Sequence, residues 1–68
     1  MTDIKARIGQ RIKAIRLEKG LTQEEAGKNL NLTRSVFSNY EAGRQNFSVE
    51  LLERIATMLG VETIELMK

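Results

Sequence analysis

The side chains of this chain that could do chemistry are cations, carboxylates and short hydroxyls and amides, because it contains no cysteine and no histidine. Those two absences remove the commonest transition-metal ligands, any disulfide framework, and the side chain best suited to proton transfer near neutral pH. The carboxylates are spread over positions where helix capping and solvation account for them. The chain therefore reads as a binding protein rather than an enzyme, with no cofactor and no metal. The cations are concentrated: Lys5, Arg7, Arg11, Lys13, Arg16 and Lys19 face only Asp3 and Glu18 within residues 1–20. Residues 48–68 reverse the balance, with Glu50, Glu53, Glu62 and Glu65 against Arg54 and Lys68. The overall charge is only +2, yet this asymmetry would turn the basic end toward a polyanion. Solvated helix surfaces carry such charges about as often.

A second polar arrangement lies in LTQEEAGKNLNLTRSVFSNYEAG, residues 21–43. Thr22 with Glu25 makes a capping box, and Leu21 just outside supplies the apolar neighbour of a staple. Thr33 is another cap, eleven residues later. A chain built for stability alone would run one longer helix here, since each helix end leaves about four backbone groups in need of partners. Asn31, which tolerates positive φ, supplies the break. These signals predict helix 2 from Gln23 to about Leu30, a tight turn, and helix 3 from Thr33 to Gly43, set at a large angle and protruding. By spacing, Val36 or Phe37, Tyr40 and Glu41 point inward on helix 3.

The elements that hold this corner follow from apolar periodicity. Ile4, Ile8, Ile12 and Ile15 fall on one face of helix 1, roughly residues 3–19, capped by Thr2 or Asp3 and ended at Gly20. Ser48 caps helix 4, whose stripe is Leu51, Leu52, Ile55, Ala56 and Leu59, ending at Gly60. A short helix 5 is expected around Thr63 to Met67, where Ile64, Leu66 and Met67 either finish the core or face a partner. No strand pattern, repeat or linker competes, so the 68 residues read as one all-α domain whose short helices cross steeply. No stretch approaches the ~20 apolar residues of a membrane span, and no signal peptide is evident, which predicts a cytoplasmic protein without a membrane partner.

From Arg11 to Val61 the chain resembles the phage repressor and Cro type, also called XRE type, of helix-turn-helix DNA-binding domain. The most specific pieces are R-x-x-K-G-L-T-Q-E-E leading into helix 2, Y-E-A-G ending helix 3 and L-G-V before helix 5. The resemblance implies a compact five-helix, lambda-repressor-like fold, with residues 22–42 as the helix-turn-helix proper. Helix 3 would lie in the major groove and helix 2 across the backbone. It implies Thr33, Arg34, Ser35, Ser38 and Asn39 as the base-reading surface. Arg34 suits guanine O6 and N7, Asn39 suits adenine N6 and N7, and Thr33 offers a hydroxyl and a methyl. It implies phosphate contacts from Gln23, at the start of helix 2, and from Arg44, Gln45 and Asn46 in the following loop. It also implies a structural ion pair between Arg16 and Glu41, and core roles for Ile15, Leu30, Leu32, Phe37 and Tyr40.

Departures from the pattern carry their own expectations. Ala26 and Gly27 stand where many relatives have leucine and alanine, and Asn31 where they have glycine. Gly27 would permit close approach of helices 2 and 3, while Phe37 would fill the space left by Ala26. Phe47 replaces a frequent proline, and N-F-S there is similar to the controller proteins of restriction-modification systems.

One module of this size covers little DNA, so the resemblance implies a homodimer on a double-stranded operator with two-fold symmetry, half-sites ~34 Å apart. Val61, Ile64, Leu66 and Met67 are the candidate dimer contacts, with core closure as their equal alternative. The expected function is transcriptional regulation as a repressor, with no small-molecule ligand. Competing readings are a restriction-modification controller, an antitoxin or other protein-interaction module, and the N-terminal part of a longer regulator.

Overall fold

The computed structural model describes residues 3–68, which form four α-helices and one 3-10 helix. Helix α1 spans Ile4–Glu18 and opens on Asp3, whose carboxylate accepts from the Lys5 N–H at 2.9 Å. The alternative cap, Thr2, lies outside the described residues. Ile8, Ile12 and Ile15 are buried as their spacing predicts. Ile4 departs from that face: it occupies the first helical position, outside the buried cluster, and stays half exposed.

Helix α2 spans Gln23–Asn29 and carries the full capping box, Glu25 N–H to Thr22 Oγ1 at 3.1 Å and Thr22 N–H to Glu25 Oε1 at 2.9 Å. It ends one residue short of expectation, at a turn made by Asn31 in the left-handed region at φ 59°. The Gly27 carbonyl accepts from both the Leu30 and Leu32 N–H groups, at 3.0 and 2.8 Å, which closes the corner. A β-carbon on Gly27 would lie 2.9 Å from the Leu32 carbonyl oxygen. Its absence lets the chain fold back this tightly. Arg54 donates to the Leu30 carbonyl at 2.6 Å, tying the corner to the next helix in sequence but one.

Helix α3 spans Arg34–Glu41 and starts on the Thr33 hydroxyl, which accepts from the Val36 N–H at 3.1 Å. Of the two inward options, Phe37 is fully buried and Val36 only partly so. Ala26 is equally buried and belongs to the same hydrophobic core. Helix α4 spans Val49–Leu59, with Ser48 as cap and its predicted stripe buried. Tyr40 and Phe47 pack against the core with ring centroids 5.3 Å apart.

Residues Thr63–Met67 form a 3-10 helix, which corrects the expected fifth α-helix. With three residues per turn, side chains at i and i+3 stack over one another. Leu66 therefore points inward and is fully buried, while Ile64 and Met67 stand together outside, 61% and 37% exposed. Leu66 closes the core and is withdrawn from the candidate dimer contacts. Arg11 from α1 holds this helix down by donating to the Glu65 carbonyl at 2.9 Å and pairing with its carboxylate at 3.5 Å.

Candidate nucleic-acid interface

The outward face of α3 is built by what its inward face buries. Phe37 and Glu41, four residues apart, anchor the helix, and Arg34, Ser35, Ser38 and Asn39 stay more open to solvent beside them. Those four line a single shallow concavity of about 280 Å³, open to solvent. Arg34 and Ser35 are exposed, and Ser38 and Asn39 half-buried at its floor. Thr33 is exposed but stands at the helix cap, outside this hollow, with its oxygen committed to the Val36 N–H. Its O–H and methyl remain free to face a ligand.

Behind α3 lies a buried polar knot. Arg16 meets Glu41 through two nearly parallel bonds, Nε to Oε2 at 2.6 Å and Nη2 to Oε1 at 3.1 Å, with both side chains almost wholly buried. Its third nitrogen, Nη1, donates to the Leu21 carbonyl at 2.7 Å. The guanidinium thus spends three of its five N–H donors on protein acceptors while almost wholly buried. Gln23 also belongs to this knot, since its Nε2 donates to Glu41 Oε1 at 2.9 Å. One of its two amide hydrogens is thereby used, leaving the second and the amide oxygen.

Gln23 also lines a cleft of about 720 Å³ between α1 and α2, together with Lys13, Thr22, Glu24 and Arg34. Arg34 borders both this cleft and the α3 hollow, so the two concavities are adjacent. Lys13, one of the clustered cations of residues 1–20, joins the cleft although no motif marks it. The available signal was its place one turn before Arg16, which puts it on the α2-facing edge of α1.

The loop after α3 begins with Arg44, exposed, whose Nη1 donates to Asn39 Oδ1 at 3.4 Å. Gln45 is half-buried and Asn46 exposed. At the opposite end, Ile64 and Met67 make a small exposed apolar pair, and Val61 packs partly against the core. Among the described residues no helix is long and apolar enough to cross a membrane.

A sequence model described as helix-turn-helix matches residues 12–66. The chain is 46% identical over 55 residues to an immunity repressor protein of Bacillus phage phi105, covering 81% of this chain and 38% of the repressor. It is 40% identical over 67 residues to the control protein C.MunI of a Mycoplasma species, covering 97% of this chain and 90% of that protein. Among solved structures, the restriction-modification controller protein C.AhdI of Aeromonas hydrophila superimposes with a TM-score of 0.84 at 36% identity, covering 90% of this chain and 92% of the controller. The corner at Asn31, the polar hollow on α3 and these similarities agree: the chain belongs to the helix-turn-helix family, of the phage repressor and Cro type.

Proposed function

We propose that the chain binds double-stranded DNA in a sequence-specific manner and regulates transcription, with α3 in the major groove. The observation that carries this reading is the α3 hollow: Arg34, Ser35, Ser38 and Asn39 converge on one exposed face. Arginine and asparagine are the side chains whose paired donors and acceptors match purine edges. Arg34 and Asn39 are the principal readers, with Thr33, Ser35 and Ser38 beside them. Gln23 and Lys13 meet one backbone strand through the α1–α2 cleft, and Arg44, Gln45 and Asn46 meet the backbone beyond the end of α3. The basic bias of residues 1–20 adds a sequence-independent attraction that weakens with salt.

The active species is a homodimer on a two-fold operator, joined through Ile64 and Met67 with Val61 at the edge. Exposure of two large apolar residues on one stacked face supports that role. Regulation is by repression, as in the phage immunity repressor that the chain resembles. A second reading, a restriction-modification controller, is supported by a similarity to C.MunI extending over 97% of this chain, against 81% for the repressor.

Selection from random duplex DNA at low ionic strength tests the proposal. A two-fold consensus with half-sites about 34 Å apart is the expected result. Enrichment of no sequence by a folded protein overturns it.

A further inference from the structure

The C-terminal end of α3 returns the chain onto its own reading face. Gly43, at φ 75°, makes the reversal. The Gly43 N–H reaches the Tyr40 carbonyl at 3.1 Å and the Arg44 N–H reaches the Asn39 carbonyl at 3.0 Å. These are the two bonds of a Schellman closure. The backbone of α1 supports the turn from behind, since a β-carbon on Gly43 would lie 2.6 Å from Ala6 Cα. The closure leaves Arg44 beside Asn39 twice over, by its main-chain bond and by the 3.4 Å contact from Nη1 to Asn39 Oδ1.

An asparagine amide presents an acceptor on one side and two donors on the other, and a base edge distinguishes them. A guanidinium has only donors. Beside Arg44, the Asn39 oxygen is therefore favoured toward the guanidinium, and the flipped amide would set N–H groups against it. In free solution such a long, exposed bond is weak. Its weight grows once a groove wall excludes water and lowers the local dielectric.

We infer that Arg44 is a positioning residue for base selection: it fixes the amide orientation in which Asn39 meets its base. Arg44 then sets specificity through Asn39 in addition to its backbone contact. The inference rests on the reading of α3 as the base-reading helix.

The test compares base preference, since a backbone contact alone leaves preference unchanged. Duplex selection with the wild-type protein and Asn39→Ala identifies the base pair at which Asn39 discriminates. Arg44→Ala, which keeps the main-chain closure, should reduce discrimination at that same pair by about tenfold, the scale of one direct contact. Preference elsewhere should persist. The double variant Asn39→Ala/Arg44→Ala should lose no further preference there. A uniform loss of affinity in Arg44→Ala, with discrimination at the Asn39 pair intact, overturns the inference and leaves the DNA-reading proposal standing. A folded wild-type protein without base preference overturns both.

Discussion

Gln23 Nε2 donates to Glu41 Oε1 at 2.9 Å, joining the first residue of α2 to the last residue of α3. The same carboxylate takes both bonds from Arg16 of α1. One buried anion thus sets three helices against one another. The angle of α3 therefore depends on this buried knot as well as on apolar packing.

Arg16→Ala should destabilise the fold by about 3–5 kcal/mol, the usual result of stranding one member of a buried ion pair. Urea denaturation of the variant measures it. Arg16→Ala combined with Glu41→Ala should cost less than the two single changes added together, because neither then leaves a lone charge. A parental midpoint for Arg16→Ala would remove the clamp from the account.

Gln23→Ala should change stability by only about 1 kcal/mol, since Glu41 keeps its two bonds from Arg16. Affinity should fall alike on every duplex, and the dependence on salt should stay at its parental slope because no charge is lost. Titrations at several salt concentrations distinguish this from a base-reading role, which would weaken some sequences and spare others.

Arg34→Ala should relax preference at one definite base pair by about 1–3 kcal/mol, with guanine the expected partner. The selected consensus, compared between variant and parent, gives the position. Uniform weakening at all positions would reassign Arg34 to the neighbouring α1–α2 cleft, which it also lines.

Ile64→Asp should leave the protomer folded, because the side chain is 61% exposed and only Leu66 of the 3-10 helix is fully buried. Dimerisation should be lost, and binding to a two-half-site duplex should drop toward that of a single half-site. Sedimentation velocity and half-site titration report the two effects. An unchanged dimer would exclude this face.

The Thr22 backbone N–H holds the Glu25 carboxyl below its ordinary range, with a further contribution from the Thr22 hydroxyl. A carboxylate with a lowered folded value stabilises fully above the unfolded value, and that stability is lost as pH falls through the folded one. The capping box should therefore weaken below about pH 4.3, the ordinary glutamate value. Melting of Glu25→Gln across that range should show a flatter acid limb than the parent; identical limbs would remove the box from the acid response.

Much of the fold could be read along the chain because it rests on local rules. The capping box at Thr22, the break at Asn31, the caps at Thr33 and Ser48 and the Ile8, Ile12, Ile15 face each depend on residues within about four positions of each other. Gly9 was silent for the opposite reason. A β-carbon there would overlap the Glu41 carbonyl oxygen, thirty-two residues away in sequence, so the close approach of α1 and α3 leaves no local mark.

Local signals along the chain thus specified the helices, their order and the corner between α2 and α3, because backbone capping and apolar spacing act over one or two turns. Packing between distant segments settled the remainder. It assigned Leu66 to the core and Ile64 to the surface, gave Arg16 and Gln23 a shared anion, and laid Arg44 beside Asn39. Which side of a short apolar segment is buried, and which cation pairs with a buried anion, depends on the neighbours that arrive from elsewhere in the chain, and composition and spacing carry no record of them.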